Sequence, residues 1–535
     1  MSNNSRKPLK TGLLVAVLLI SALVIFGTII LQEARGLIWS APLQVPTEPT
    51  SLVIEPTIAE DPIGRVWVAY SNKTIGGFDE PEIWFKAQNT IGTWRTPIRV
   101  TNNAFDDKNA YLTSLSNGTM LLVWSSNNSG NSNIVYRRYV SFSPVDPVPV
   151  QLTSHVLSDS QPVAVQDRNG RIWVVWQRED LTVIPVASSD IFYKYYDGVS
   201  WSQDFPFPLA SSPLFHERSP SITQTKDGRV WISWSSDEGG QNTYELFYTT
   251  TDGTVETLPS TGIPSSAWAP RTALTSNTKD EDSSVLVQAR DGTVHVFFQR
   301  DSGTDGDILT KSSLDNGATW GTASNVVATQ AHESFPAARQ MTDNRVWVVW
   351  NRQGDATKEI WYSTSDPITG VHDVGVSGLA VAPSFLRQGD TLRVNVTVTN
   401  YGDFPETTTL TVKMNNTVVT TTILSLADGE ARLIQIDWTS TWGRYVPSAS
   451  VTTVSGETVP NRGDNTRNGS LVRVTPLGDV DFDGDVDILD AAALAFAFGT
   501  SPGSPLWNPN ADINGDNVID ILDAAQLAFY YGKSV

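Results

Sequence analysis

One phrase recurs between Trp39 and Asp366 and limits the fold more than any other feature: a turn pair, two residues, a tryptophan, two residues, a second aromatic. The copies, some worn, read Gly64-Arg65-Val66-Trp67 to Tyr70, Asn117-Gly118 to Trp124, and Asn169-Gly170-Arg171-Ile172-Trp173 to Trp176. They continue with Asp227-Gly228-Arg229-Val230-Trp231 to Trp234, Asp291-Gly292 to Phe298, and Asp343-Asn344-Arg345-Val346-Trp347 to Trp350. Asn-Gly and Asp-Gly between alternating apolar residues signal tight hairpins, because glycine reaches the left-handed backbone these turns need. A further strand follows in each copy: Ile83-Trp84-Phe85, Ile134-Val135-Tyr136, Ile191-Phe192-Tyr193, Leu246-Phe247-Tyr248, Ile308-Leu309-Thr310 and Ile360-Trp361-Tyr362. The closing aromatics recur every 52 to 64 residues. Short strands at such a period predict a mainly β chain whose residues 37–368 form a six-bladed β-propeller.

A ring must also close. Units end in an outer strand such as Trp94-Arg95-Thr96-Pro97-Ile98-Arg99-Val100, and the sixth lacks one. Trp39-Ser40-Ala41-Pro42-Leu43-Gln44-Val45 carries that pattern ahead of the first blade and is expected to complete the sixth, removing open edges.

Ten residues before each turn stand Asp107, Asp159, Glu217, Glu281 and Glu333; only the first blade, with Val53, departs. Arg178, Arg300 and Arg352 align two residues past the closing aromatics. Acids and arginines in these registers are expected near one end of the central channel. There they would bind a polar or carboxylated sugar or a cation; the bland alternative is ion pairing between blades with solvated loop charge. Were the propeller catalytic, the candidates would be Glu217, Glu333, Asp159, Arg178, Arg300 and Arg352. Glycosidic cleavage by two carboxylates depends on their separation, which spacing along the chain does not supply. His216-Glu217 and His332-Glu333 open like a zinc-protease motif, yet no histidine follows at the required spacing.

The formal charge is −20, and no basic stripe appears, which argues against nucleic acid as a partner. The absence of cysteine removes disulfides, thiolate catalysis and Cys-ligated zinc. Residues 1–36 read as a signal peptide or an N-terminal membrane anchor. Arg6, Lys7 and Lys10 precede Gly12–Leu31, a charge-free run long enough to cross a bilayer. The run exceeds the usual signal core and no clean cleavage site follows, which favours the anchor. Either way the rest is expected outside the cytoplasm, secreted or held at the cell surface.

The last 60 or so residues carry the most specific chemistry. One loop supplies Asp479, Asp481, Asp483, Asp485, Asp487 and Asp490; its copy supplies Asp512, Asn514, Asp516, Val518, Asp520 and Asp523. Oxygen side chains at loop positions 1, 3, 5, 9 and 12 suit Ca2+, a hard cation taking many oxygen ligands. Position 6 must turn sharply, and it holds Gly484 in one loop and Asn517 in the other. Both loops enter the same helix, Asp487-Ile488-Leu489-Asp490-Ala491-Ala492 and Asp520-Ile521-Leu522-Asp523-Ala524-Ala525, which runs to a stop at Gly499 or Gly532. A duplicated loop with Asp at position 12 followed by one helix resembles a type I dockerin, here over residues 477–535. The resemblance implies two Ca2+ ions and docking to a cohesin-bearing protein. It also implies side-chain ligation by the position 1, 3, 5, 9 and 12 residues, with the backbone carbonyls of Asp485 and Val518 at position 7. Positions 10 and 11 are Ile and Leu in both copies, where better-known dockerins often carry hydroxyl residues.

Two further resemblances concern the rest of the chain. Ser313-Leu314-Asp315-Asn316-Gly317-Ala318-Thr319-Trp320 matches the Asp-box of BNR or sialidase-like propellers, and Asp197-Gly198-Val199-Ser200-Trp201 is a worn copy. The Asp-box is a structural turn in that family; the Phe/Tyr-Arg-Ile-Pro tetrapeptide of catalytic sialidases does not occur here. Residues 371–475 alternate apolar and polar, as in Leu392-Arg393-Val394-Asn395-Val396-Thr397-Val398, and predict an Ig-like β-sandwich resembling a CARDB module. Arg462-Gly463-Asp464 spells an adhesion tripeptide but is read as a chance turn. The sum is an exported modular surface protein that docks through its dockerin and presents a propeller to a glycan or surface polymer. The alternatives are a dockerin-borne glycoside hydrolase in polysaccharide breakdown and a plain surface-layer structural protein.

Overall fold

Each repeat folds as an antiparallel ladder because its turn residue reaches the left-handed backbone: Gly64, Gly118, Gly170, Gly228, Gly292 and Asn344 all have φ between 64° and 87°. The computed structural model describes residues 36–47, 51–74, 80–89, 92–128, 130–180, 188–210, 215–238, 243–253, 255, 259, 262–301, 305–353 and 358–535. The chain divides into Met1–Ile38 and Trp39–Val535, and everything below concerns the second unit. The expected leader, including Gly12–Leu31, lies outside the described residues apart from Gly36. Among the described residues no helix is long and apolar enough to cross a membrane.

The third repeat is representative. Ser158–Gln166, Ile172–Asp180, Ser188–Tyr196 and Phe205–Pro206 pair antiparallel in that order. The first tryptophan of each full copy stacks on the aromatic of the neighbouring strand, Trp231 on Tyr248 at 5.5 Å and Trp347 on Tyr362 at 5.3 Å. Its indole N–H returns to the turn, from Trp67 to Asp61, Trp173 to Asp167 and Trp347 to Asp343, at 2.9 to 3.0 Å. The repeated tryptophan thus ties strand, neighbour and turn together. The Asp-box works the same way: Asp315 accepts from Ser313, Thr319 N and Thr319 Oγ1, and a Cβ on Gly317 would meet the Trp231 ring at 2.4 Å.

Apolar clusters sit between successive repeats. One joins Trp173, Tyr193 and Phe205 to Ile222, Ile232 and Trp234. Another joins the last repeat to the first, through Val349, Ile360 and Tyr362 against Val53, Ile58 and Val68. The strand expected to close the ring does so: Leu43–Val45 pairs antiparallel with Lys358–Thr364, Leu43 opposite Tyr362 and Val45 opposite Ile360.

A second lock runs from repeat to repeat. The residue ending each innermost strand accepts from the turn of the repeat before it. Gln166 takes Ser116 N at 2.6 Å, Gln224 takes Arg168 N at 2.7 Å, Gln288 takes Lys226 N at 2.7 Å, and Gln340 takes Arg290 N at 3.2 Å. Glu60 takes Thr342 N at 2.7 Å, which carries the series from the last repeat to the first. The first-to-second step lacks its donor because Pro62 has no N–H, and Ser114 stands where the others have Gln or Glu.

After the ring, three sheets share one apolar core containing Val374, Val394, Val412, Leu424, Ala449 and Val474. This module is seated on the turn end of the ring. Lys226 Nζ pairs with Asp373 and donates to Asn461, and Arg290 pairs with Asp403 at 2.5 Å. The short helix Asn461–Asp464 packs there, so a Cβ on Gly463 would meet Asp227 N at 2.6 Å. The Arg-Gly-Asp tripeptide is part of a joint between modules.

Candidate functional site

The two C-terminal loops fold around their position-12 aspartates. Asp490 Oδ1 accepts from Val480 N at 2.6 Å and Asp481 N at 3.2 Å, and its Oδ2 accepts from Asp487 N at 2.8 Å. Asp523 repeats this with Ile513 N, Asn514 N and Asp520 N at 2.8, 3.1 and 2.8 Å. Asp487 and Asp520 cap the helices Ile488–Ala497 and Ile521–Tyr530, each completing a capping box with the aspartate three residues on. Gly499 and Gly532 follow with φ of 78° and 76°, as a helix stop requires. Each glycine donates to the opposite loop, Gly499 N to Ile519 O at 2.8 Å and Gly532 N to Val486 O at 2.7 Å, which makes the pair two-fold.

In the first loop, Asp479, Asp481 and Asp483 each bring an oxygen within 4.8 Å of the others, and Asp485, Asp487 and Asp490 do the same. Asp479 is fully buried and its Oδ1 has no hydrogen-bond partner. Burial first, then repulsion from Asp490, holds the Asp479 and Asp481 carboxyls above their usual range. Such an all-oxygen set fits Ca2+, which would supply the charge these carboxylates lack. In the second loop Asp512 accepts from Gly515 N, Asp516 N and Asn517 N at 2.9 to 3.1 Å. Asn514 Nδ2 donates to Asp516 at 2.9 Å, and the half-exposed Val518 donates its N–H to Asp516 at 2.9 Å.

The helices leave matching apolar residues outside: Ile488, Leu489, Phe496 and Phe498 on one copy, Ile521, Leu522, Phe529 and Tyr531 on the other. Between them lies a groove of about 800 Å³ lined by Leu494, Phe498, Leu527 and Tyr531 together with four alanines.

In the ring, the aligned acids do not line the central cavity. Asp107, Asp159, Glu217, Glu281 and Glu333 are all fully buried. Arg178 grips Asp159 through two bonds of 2.6 and 2.9 Å and reaches Asp204 at 2.8 Å. Arg300 pairs with Glu281 at 2.5 Å, and Arg352 lies 3.8 Å from Glu333, which also accepts from Thr329 at 2.5 Å. Each pair joins adjacent strands of one repeat, not neighbouring repeats. Asp107 and Glu217 have no such arginine, because Ser126 and Ser236 occupy its register. Asp107 accepts instead from Trp124 and Asn103 at 3.2 and 2.7 Å. Glu217 is left with Ser236 at 3.4 Å, and its Oε2 has no partner. Burial, then repulsion from Asp190, pushes the Glu217 carboxyl up to about 8.

The reason for the offset is a bulge. Two residues after each aligned position, Glu55, Asn109, Gln161, Ser219, Ser283 and Phe335 take φ between 51° and 56°, and strand pairing slips there. These six, with the residues that follow them, line the central cavity of about 110 Å³. A polar groove of about 400 Å³ includes Glu55, Asp106, Lys108, Asn109, Gln161 and Glu179, so it shares Glu55, Asn109 and Gln161 with that cavity. Glu55 Oε2 accepts from Asn109 N at 2.9 Å, and burial holds its carboxyl above the usual range. Sequence reasoning missed this set: its members run from Glu to Phe, and only their constant offset from the aligned acids marks them.

No curated protein matches the chain by sequence. Among solved structures, a protein of unknown function from Dyadobacter fermentans is similar at a TM-score of 0.51 and 14% identity, over 62% of this chain and 100% of its own. A Penicillium chrysogenum alpha-L-arabinanase complexed with arabinobiose gives 0.46 and 15%, over 62% and 98%. The Hadza microbial sialidase Hz136 gives 0.45 and 11%, over 59% and 66%. At the C-terminal end the assignment is direct: residues 477–530 match the dockerin type I domain.

Proposed function

We propose that this is an exported modular protein that takes up two Ca2+ ions in its C-terminal loops and docks through them to a cohesin-bearing partner. The oxygen cluster of the first loop, inside the residues that match the dockerin type I domain, carries this reading, and the second loop repeats its fold around Asp523. The matching apolar residues on the two helices supply a docking face that offers the same chemistry from either copy. Residues 371–475 act as an Ig-like, CARDB-resembling spacer. Ahead of them, the six repeats form a six-bladed, sialidase-like propeller held outside the cytoplasm by export or by the N-terminal anchor. The groove that shares Glu55 with the channel is polar, mixed in charge and of a size for one or two sugar rings, so its ligand is a glycan.

The docking half is tested by calorimetry of the full chain with CaCl2, followed by binding to a panel of cohesins with and without chelator. Uptake of two ions and chelator-sensitive binding are expected; the absence of cation uptake removes the proposal.

A hydrolase reading draws on Glu217, whose carboxyl stays protonated at neutral pH as a general acid must. The full burial of Glu217, Glu333 and Asp159 counts against contact with a substrate, as does the commitment of Arg178 and Arg300 to their carboxylates. A glycan panel assayed with wild type, Glu217→Gln and Glu333→Gln separates the two. Binding without turnover supports recognition; turnover lost in either variant supports catalysis.

A further inference from the structure

We propose that Arg387 is a positioning residue for the first calcium loop, so that the preceding β module closes this loop in advance while the second folds on its own. The inference rests on calcium binding by the dockerin and adds a coupling that this binding alone does not require.

The connection is short. Val472–Thr475 pairs parallel with Phe385–Arg387, Gln388 N donates to Thr475 O at 2.9 Å, and the chain reaches Asp479 four residues later. From the same strand, Arg387 Nη2 donates to the backbone carbonyl of Asp479, the first ligand position, at 2.7 Å. Its guanidinium lies 4.6 Å over the ring of Phe482, and Phe385 meets that ring edge-on at 5.9 Å.

Phe482 is the telling residue. Its φ is 64°, in the left-handed region where a side chain costs roughly 1–2 kcal/mol. The matching position of the second loop is Gly515, with φ 74° and no such cost. An aromatic at this position is explained by what its ring gains against Arg387 and Phe385.

The chain end holds the loop from its other side. Val486 N donates to Lys533 O at 2.8 Å and Val535 N to Gly484 O at 2.9 Å. This tail also bears on the β module, with Trp442 Nε1 donating to Ser534 O at 3.4 Å and Lys533 Nζ lying 5.6 Å over the Trp442 ring. By contrast, the hydrogen bonds of Asp512 to Asp523 described above all stay within the dockerin.

Coupling of this kind is reciprocal: if the module helps the first loop bind, an ion in that loop must steady the module's edge. Amide exchange on the full chain, with CaCl2 and with chelator, reads this directly. Calcium should slow exchange at Leu386, Gln388 and Thr475 in wild type and in Asp512→Ala, and leave it unchanged in Asp479→Ala. Equal slowing in Asp479→Ala, or none in wild type, overturns the proposal.

Arg387→Ala supplies a second readout with an informative sign. A guanidinium beside the cage repels a cation, so loss of charge alone would tighten binding. Positioning predicts the opposite, a 3- to 10-fold weaker first site in two-site calorimetry with the second site unchanged. A tighter first site, or equal weakening of both, sinks the idea. Phe482→Gly, which restores the residue type of the second loop, should weaken the same site and abolish the exchange effect. Failure of either loop to take up calcium would sink the docking reading itself, whereas two equivalent, uncoupled sites would sink only this one.

Discussion

The ring and the C-terminal domain both repeat an acidic side chain at a fixed register, and the two regions treat it oppositely. In the ring every repeated acid is buried and meets a protein donor: Arg178, Arg300 and Thr329 for Asp159, Glu281 and Glu333, Trp124 with Asn103 for Asp107, and the Ser236 hydroxyl for Glu217. In the first calcium loop the acids crowd one another, and Asp479 keeps an oxygen with no partner. Repetition of a carboxylate therefore marks structure where the acids are spaced apart and buried, and a candidate cation site where they crowd one another. Glu217 is the exception inside the ring: buried like its siblings, yet held only by the Ser236 hydroxyl at 3.4 Å.

The largest effect should come from breaking a satisfied pair. Asp159→Ala leaves Arg178 buried with Asp204 as its remaining carboxylate, and should cost roughly 3–5 kcal/mol in chemical denaturation. Asp481→Ala, in an exposed and crowded position, should leave calcium-free stability within about 0.5 kcal/mol. Similar losses for both would erase the contrast.

Glu217 tests the exception. Its carboxyl titrates at about 8 in the folded chain and in the ordinary range, near 4.5, in the unfolded one, so between these values the folded state binds more protons. Stability should fall as pH rises across that window and level off above it, by on the order of 3 kcal/mol once solvent screening reduces the roughly 5 kcal/mol of the full shift. Glu217→Gln should flatten this slope; an unchanged profile of melting temperature against pH would show that Glu217 is not its source.

Calcium at 100 times its dissociation constant should stabilise the C-terminal domain by about 2.7 kcal/mol per ion. Scanning calorimetry of the full chain should show this gain, and Asp490→Ala should remove the share of the first loop. A smaller effect belongs to the lock between repeats: Gln224→Ala should cost about 1 kcal/mol, as loss of a part-buried hydrogen bond to backbone does. The step that Pro62 leaves open already lacks this contribution.

Much of the architecture was legible because it is periodic. The turn glycines, the recurring tryptophans and the closing strand at Leu43–Val45 all follow from local spacing, and the structure keeps each. The loop positions 1 to 12 and the helices behind them were legible for the same reason, whereas the capping boxes made by Asp487 with Asp490 and Asp520 with Asp523 emerged only in the structure. The channel lining was not. A bulge inserted into each innermost strand turns Glu55, Asn109, Gln161, Ser219, Ser283 and Phe335 toward the axis, and alternation counted along a regular strand puts the acids there instead.

Local order along the chain was enough to specify hairpins, helix ends and oxygen-rich loops, since neighbours within a dozen residues decide backbone angles and ligand spacing. Which acids found arginines, which residues faced the channel, and why Phe482 stands where its twin is Gly515 depended on strands and modules brought together from afar. Those outcomes rest on burial and partner geometry, which exist only once the chain has folded.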